Sequence, residues 1–369
     1  WPWTACACCN WQAHWKRPRS LSHDHPLTPS DKRPMNAPSP TPLKFLVPGW
    51  FAITMGLCGL SLAWSRAVPS LGDLAGAIAL AVGVLALGVF GVLGGLSLLR
   101  MQRHPEALIE DLRHPIRHAF VAAVPASIVL LATVATTLLG PSAGVRALWM
   151  LGAVVQFAVT VWVMARWLKG NREGGFVWAG ITPVLFIPIV GNVLTPLAGV
   201  ALGQPEWSAA QFGVGVVLWP VTLMLLAVRL GQIGLWPDRM LAATFITVAP
   251  PSVIGLGVLQ LGAPPLLGWA LWGLGLFFLC WSATLFKRVV AQPFSIAFWG
   301  LSFPLAAFTA LTLRLSENAA PAFAHLGVVL LALTSIVIAA LVLGTVQGLR
   351  RGSLLVAEPA PAAMVPTSA

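Results

Sequence analysis

The chain has 369 residues, of which 57% are hydrophobic and 9% are charged, and its formal net charge is +11. This composition, with no long polar stretch between the apolar runs, excludes a soluble globular protein and indicates an integral membrane protein. The basic excess follows a membrane topology pattern, described below, so we expect no nucleic-acid partner.

Residues 1–34 differ from the rest because they crowd tryptophan, cysteine, histidine and basic residues, without the apolar core of a signal peptide. One reading of this segment is a metal-binding tail, with these candidate ligands: Cys6, Cys8, Cys9, His14, His23 and His25. The thiols are closer together than the separated pairs of a structural zinc site. We therefore predict a non-native or disordered leader before a native start at Met35, and no metal site or cofactor.

Ten apolar runs follow, each of about 20 residues, the length that crosses ~30 Å of hydrocarbon as a helix. They lie near 46–65, 71–99, 118–139, 145–167, 178–202, 208–229, 240–262, 265–286, 294–315 and 322–348. Residues 35–45 are predicted to be a cytoplasmic N-terminal tail and 349–369 a disordered cytoplasmic tail. Tyrosine is absent, so tryptophans near the span ends are expected to anchor the protein at the membrane interface. These are Trp50, Trp64, Trp149, Trp167, Trp178, Trp207, Trp236 and Trp269.

Proline falls inside every odd-numbered span from the third to the ninth: Pro125; Pro183, Pro188 and Pro196; Pro250 and Pro251; and Pro304. Among the even-numbered spans, only the sixth contains one, Pro220. An interior proline removes a backbone donor and frees the carbonyl one turn earlier, which lipid cannot solvate. The freed carbonyls would be those of Val121, Val184, Ile246 and Gly300. The pattern therefore predicts that the odd-numbered helices form an inner, pore-forming set.

The connections alternate between short ones and basic ones. One set of alternating segments holds Lys44, Arg100, Arg103, Arg113, Arg117, Arg166, Lys169, Arg172, Arg229, Arg239, Lys287, Arg288, Arg350 and Arg351, whereas the other holds Arg66, Arg146 and Arg314. Basic residues stay cytoplasmic in short loops, so both termini are predicted to face the cytosol. The odd-numbered spans recur every 55 to 70 residues or so. We predict an all-α membrane protein, with five helical hairpins around a central pore.

Ionisable chemistry inside the spans is missing, because every carboxylate falls in a loop or at a span end. This argues against coupling to protons or sodium through buried acids, and against an enzyme. A basic cytoplasmic face and a bore without acids favour anions. The loop from Arg100 to Arg117 has mixed charge. His114 and His118 could share a helix face there and sense pH or hold a metal, but a solvated interfacial segment is the favoured reading.

Five stretches on odd-numbered spans resemble one family. They run from Pro48 to Trp64, His114 to Pro125, Thr182 to Asn192, Thr247 to Pro251 and Trp299 to Leu305. Together they are similar to the bacterial tellurite-resistance/dicarboxylate transporter family, which includes the slow-type anion channels of plant guard cells. The likeness covers residues 46–348. It implies ten helices in five hairpins, a pore within each subunit and a homotrimer.

The resemblance also implies a phenylalanine gate in the ninth helix, and Phe303, just before Pro304, matches that position. Ala52 matches the first-helix position that faces the gate and is often glycine in relatives. Thr54 stands where some relatives have a helix-kinking proline. The pore-lining residues expected beside the gate are Ala52, Thr54, Pro125, Pro188, Pro250 and Pro304.

The leading hypothesis is an anion channel of the bacterial inner membrane, in which Phe303 plugs an apolar bore. Its partners would be the lipid bilayer and small inorganic or organic anions. The alternative is a secondary carrier that exports a C4-dicarboxylate, sulfite or a tellurite-related oxyanion. No arginine inside a span is available to clamp a carboxylate, which counts against the carrier.

Overall fold

The computed structural model describes residues 42–356, apart from 171–174, 176 and 318. The predicted leader with its candidate metal ligands, most of the N-terminal tail and the last thirteen residues of the C-terminal tail lie outside the described residues. The main helices are α1 (Ala52–Arg66), α2 (Asp73–Arg103), α3 (Arg117–Leu139), α4 (Ala143–Lys169), α5 (Pro183–Gly199), α6 (Pro205–Ile233), α7 (Asp238–Gln260), α8 (Pro265–Ala283), α9 (Ile296–Ser316) and α10 (Pro321–Arg350).

The predicted helical membrane class is confirmed, since no strand occurs among the described residues. Eight of the described helices, all of these except α1 and α5, are long and apolar enough to cross a membrane. α5 is shorter and apolar, and α1 has 15 residues preceded by a 3-10 turn at Pro48–Phe51. The chain is thus a multi-pass membrane protein, while ten crossings remain a prediction.

Burial divides the helices into two groups. In the most apolar stretch of α3, α7 and α9, 67%, 94% and 72% of the residues are buried, compared with 22% to 33% in the five even-numbered helices. Every residue of α5 except Leu197 is also buried. The even-numbered helices instead expose large apolar side chains such as Leu74, Met224 and Leu266. Such side chains match the apolar character of lipid, as a face toward the bilayer requires.

The buried helices contact each other in sequence: α1 packs on α3, α3 on α5, α5 on α7, α7 on α9, and α9 on α1. Each odd-numbered helix also packs on the even-numbered helix that follows it. Hydrogen bonds join several of these pairs. Ser61 of α1 donates to the Ala79 carbonyl of α2 at 2.7 Å, and Thr309 of α9 lies 2.9 Å from Thr334 of α10. Hydrogen bonds between hydroxyl groups and neighbouring helices hold the helices together in a membrane, where lipid removes the hydrophobic driving force for their association.

The turns after the odd-numbered helices use a repeated local chemistry. Gly140 follows α3 and Gly262 follows α7, both with φ of +86°, a left-handed conformation that side chains disfavour. Proline then begins the next helix at α6, α8 and α10, where a missing amide costs nothing because the first amides of a helix lack partners anyway. At α4, the Ser142 hydroxyl accepts the Val145 amide instead.

Three of the tryptophans predicted to lie at the membrane interface are part of the core. Trp50, Trp149 and Trp236 are 4%, 0% and 3% exposed. Trp236 donates to the Ile181 carbonyl at 3.0 Å and has the Arg229 guanidinium over its ring. The interface reading was wrong for these three, because proximity to a span end does not distinguish a ring facing lipid from one facing a neighbouring helix.

The contact between α1 and α9 depends on a glycine, and this gives a stability test. A Cβ at Gly56 would come within 2.2 Å of the Ser302 hydroxyl oxygen. We expect Gly56→Leu to destabilise the protein by about 1–3 kcal/mol or more through overpacking. The thermal unfolding midpoint in detergent measures this. Gly273→Leu in α8, where nothing lies within 4 Å, is the matched control. Equal midpoints for the two variants would contradict the packing described.

Candidate functional site

The helices α3, α5, α7 and α9 begin with 3-10 turns and then change to α-helix, and α1 directly follows a 3-10 turn. The 3-10 parts are Pro48–Phe51, Arg117–Ala122, Pro183–Leu185, Asp238–Val248 and Ile296–Leu301. Pro125, Pro188 and Pro304 are each the third residue of the α-helical part, and Pro250 is the second. Thr54 is the third residue of the corresponding part of α1. The prolines therefore mark one repeated backbone transition.

This placement corrects the expected effect of the prolines. They lie in the first turn of an α-helix, where the absent donor is tolerated, and not within a continuous α-helix. The Ile246 carbonyl, predicted to be free, accepts the Ala249 amide in the preceding 3-10 turn. The Val121 and Val184 carbonyls likewise accept amides. Freed carbonyls at these three positions are therefore not available as a lining of partial negative charge.

Phe303 lies in the first turn of the α-helical part of α9, with 7% of its surface exposed. Its ring faces Gly59 of α1, since a Cβ at Gly59 would be 3.2 Å from Phe303 Cδ2 and 2.9 Å from Ala306 Cβ. Neighbouring hydrogen bonds fix this turn. Ser302 donates to the Trp299 carbonyl at 2.7 Å, and the Trp299 indole donates to Thr345 of α10 at 2.9 Å.

The expected pore-lining residues are mostly enclosed. Pro125, Pro188, Pro250 and Pro304 are buried, and Ala52 is half-buried. These positions stay predictions as pore-lining residues. Ala52, Gly56, Gly59 and Ala63 form one stripe of small residues on α1, spaced by four, three and four positions. Gly59 was not predicted from the sequence as a contact of the gate position, although the spacing of these four small residues indicates a close helix contact.

Thr54 is fully buried, and its hydroxyl has no hydrogen-bond partner among the described residues. It lies seven residues before Ser61, two helical turns away and therefore on the same face of α1. Ser61 bonds to α2. Thr54 thus lies on the α2 side of α1, while Gly56 and Gly59 lie on the α9 side.

A buried polar network, which the sequence analysis did not identify, joins α4, α5 and α6. The Gln156 amide and the Thr160 hydroxyl both donate to the Pro188 carbonyl, at 2.9 and 2.8 Å. The Asn192 amide donates to Thr160 at 2.8 Å, and Gln211 donates to the Asn192 side-chain oxygen at 3.0 Å. The sequence does indicate this network, because its four polar side chains stand within otherwise apolar helices. The network fixes α5 against two helices of the outer group.

On the side where the odd-numbered helices begin, charged residues form a buried cluster. Asp111, fully buried in the helix Pro105–Arg113, pairs with Arg100 and Arg117, each at 2.8 Å. Arg117 also pairs with Glu110 at 3.0 Å. The expectation of a solvated segment was therefore wrong for Asp111 and Arg100, because the two guanidinium groups compensate the desolvation of this carboxylate.

His114 and His118 do not share a helix. His114 ends the helix Pro105–Arg113 with extended backbone, and its Nδ1 accepts the amides of Ile116 and Arg117. His118 lies in α3 and donates from Nδ1 to the His114 carbonyl at 2.9 Å. No group of three or more potential metal ligands occurs in the described part of the chain. Nearby, a hydrogen bond from its own backbone amide holds the pKa of Glu106 below its usual value.

Charge is absent from the middle of the inner helices. Residues 52–65, 119–139, 183–199, 240–260 and 296–313 contain no aspartate, glutamate, lysine, arginine or histidine. The surroundings of Phe303 are thus apolar side chains, small residues and helix backbone. A pore that narrowed at such a place would block ions, because an ion that lost its water there would find no polar replacement.

Comparison with known proteins identifies the family. The voltage-dependent anion channel family matches residues 46–346. The chain is similar to a tellurite resistance protein TehA homolog of Haemophilus influenzae, with 26% identity over 333 residues, 86% of this chain and 94% of that protein. It is also similar to the S-type anion channel SLAH2 of Arabidopsis thaliana, with 27% identity over 58% of this chain and 41% of that protein.

A third relative is the sulfite efflux pump SSU1 of Arthroderma otae, with 24% identity over 73% of this chain and 82% of that protein. These relatives confirm the resemblance found in the five stretches of the odd-numbered spans. Since the family match spans all ten main helices but the last few residues of α10, the chain belongs to the voltage-dependent anion channel family, whose members include membrane anion channels and transporters.

Proposed function

We propose that this protein is an anion channel of the bacterial inner membrane, with both termini in the cytoplasm. Ten helices would form five hairpins around a central pore, with the odd-numbered helices inside, and three such subunits would form a homotrimer. The closed cycle of contacts among α1, α3, α5, α7 and α9, together with their burial, supports the inner ring. Membership in the family supports anions as the transported species.

Phe303 is the proposed gate. The observation that carries this proposal is the contact of its ring with Gly59, inside the cycle of inner helices and in a stretch without charge. A bulky ring opposite a glycine fills the space that two helices would otherwise leave between them. Opening then requires the ring to move, and an anion that passes must find the bore wide enough to keep part of its hydration.

Replacing Phe303 by alanine should open the pathway. Lowering the barrier by only ~1.4 kcal/mol raises the flux about tenfold, so we expect at least that increase in chloride or nitrate conductance. Single-channel recording of purified protein in planar bilayers measures it. Phe308→Ala is the matched control, because Phe308 lies in the same helix, is 1% exposed and stacks on Trp272 of α8, away from Gly59.

Both variants lose a buried aromatic ring, so both should lower stability by about 3–5 kcal/mol. Only Phe303→Ala should raise the conductance. A Phe303→Ala protein that elutes as a folded species and conducts no better than the wild type would reject the gate, and equal increases in both variants would assign the effect to loosened packing.

A carrier is the second candidate, favoured by the similarity to a sulfite efflux pump. It would export sulfite, a C4-dicarboxylate or a tellurite-related oxyanion. Carriers need a saturable site and alternating access, whereas a channel needs neither.

Counterflow in proteoliposomes distinguishes the two mechanisms. For a channel, unlabelled malate or sulfite inside the vesicles should not accelerate uptake of the labelled anion, and the current should vary linearly with voltage at high anion concentration. Trans-stimulated exchange of several-fold would instead establish the carrier. Empty liposomes serve as the control for leak.

A further inference from the structure

Charged residues stand at the far ends of only two of the inner helices. Arg66 ends α1, and Arg314 lies near the end of α9, with Glu317 directly after that helix. Among the described residues, α3, α5 and α7 end without a charged side chain. Two arginines and one glutamate give the inner helices an excess of one positive charge at this end, which we call the outer end. The even-numbered helices add Asp73, Arg146 and Glu206 on the same side.

Helix geometry places both arginines above the gate contact. Arg66 follows Gly59 by seven residues, two turns, and so lies on the same face of α1 about 10 Å further along. Arg314 follows Phe303 by eleven residues, three turns, on the same face of α9 about 16 Å further along. α1 and α9 run in the same direction and pack closely at Gly56 and Gly59. The two guanidinium groups thus lie at the outer end of the same contact that Phe303 closes.

The intervening residues on these faces are small. Ala63 lies between Gly59 and Arg66, and Ala307 and Ala310 lie between Phe303 and Arg314. All three are buried. No charged or polar side chain separates the gate from the arginines along these two faces.

The charges at this end are only partly balanced. Arg314 forms an ion pair with Glu317, and the two side chains are 36% and 32% exposed. Arg66 is within electrostatic range of both residues but makes no ion pair among the described residues. Arg66 as a whole residue is half-buried. Partial burial weakens screening by solvent, so the excess charge acts over a longer distance than on an open surface.

We propose that Arg66 and Arg314 form an anion-capture site at the outer mouth of the pathway that Phe303 closes. A guanidinium presents several donors in one plane, which suits planar oxyanions such as nitrate or a carboxylate. The site rests on the proposed function, because captured anions matter only if a pathway lies beneath them. A lipid phosphate has the same chemistry, so the experiments separate it from a free anion.

Arg146 provides a matched control. It is the only other basic residue in the predicted outer segments, and it lies exposed near the start of α4, an even-numbered helix. Replacing it removes the same charge from the same side of the protein. A site specific to α1 and α9 must therefore distinguish Arg66 and Arg314 from Arg146.

The first test measures unitary nitrate conductance of the full chain carrying Phe303→Ala, in 10 mM and 1 M salt. The Debye length is about 30 Å at 10 mM and about 3 Å at 1 M. We expect Arg66→Gln or Arg314→Gln to lower the conductance roughly two- to fivefold at 10 mM and hardly at all at 1 M. Glu317→Gln should raise it, whereas Arg146→Gln should leave it unchanged. Equal effects of Arg66→Gln and Arg146→Gln, or no effect of either, would overturn the capture site.

Lipid composition separates the two anion sources. If the site binds the transported anion, Arg66→Gln should lower the nitrate conductance equally in bilayers of phosphatidylcholine alone and in bilayers with added phosphatidylglycerol. A loss that appears only with phosphatidylglycerol would overturn the proposal and assign the arginines to an anionic lipid.

A second measurement needs no transport and therefore separates this proposal from the proposed function. Ser65→Cys, in a chain whose five other cysteines are replaced by serine, reports the local potential through its reaction with anionic and cationic methanethiosulfonates. We expect the anionic reagent to be favoured, and Arg66→Gln or Arg314→Gln to lower the ratio of the two rates several-fold. If neither substitution changes this ratio of the anionic to the cationic reaction rate, the capture site is rejected even if the channel conducts. If Phe303→Ala carries no current but the ratio falls, the site stands and the gate does not.

Discussion

The close approach of α1 to α9 sets the position of the residues proposed to act in this protein. Gly56 and Gly59 have no side chain where Ser302, Phe303 and Ala306 lie, and a Cβ at either glycine would come within 3 Å of an α9 atom. This contact closes the cycle of inner helices. It also brings the Phe303 ring against backbone and aligns the outer ends of two helices. A larger residue at Gly59 would change this packing and, in the proposed pore, the bore as well, so the proposal couples stability and transport at this position.

The prolines have a different physical meaning from the one that their positions in the spans first indicated. Pro125, Pro188, Pro250 and Pro304 each lie in the first turn of the α-helical part of a helix whose earlier turns are 3-10. A 3-10 turn satisfies carbonyls with amides three residues later, which removes the penalty of a missing amide in the next turn. Four helices use proline at this transition, and α1 uses Thr54 with the same backbone. The shared feature of the five helices is therefore a backbone geometry, and proline is one way to encode it.

Sequence reasoning predicted the class, the helix boundaries and the family, because apolar length, basic loops and ordered motifs are properties of the chain alone. It did not predict which side of a helix meets which neighbour. Trp149 and Trp236 were assigned to the interface, and Asp111 to a solvated segment, because burial arises from contacts between distant segments. Gly59 and the Gln156 network were missed for the same reason. The role of Gly59 is visible only once α9 is known to pack against it, and the role of Gln156 only once α5 is known to lie beside it.

The hydrogen bonds around Pro188 have a mechanical consequence. They hold α5 to α4 and α6 through amide and hydroxyl groups, and breaking them inside a membrane would leave several polar atoms without water. On the opposite side of the cycle, α9 carries the candidate gate in a contact made of small residues and one ring. The cycle of inner helices is thus asymmetric, because polar hydrogen bonds hold α5 whereas α9 meets α1 through small residues and one ring. Under the proposed gate, opening would then need the Phe303 side chain to move and would not need the bonds around Pro188 to break.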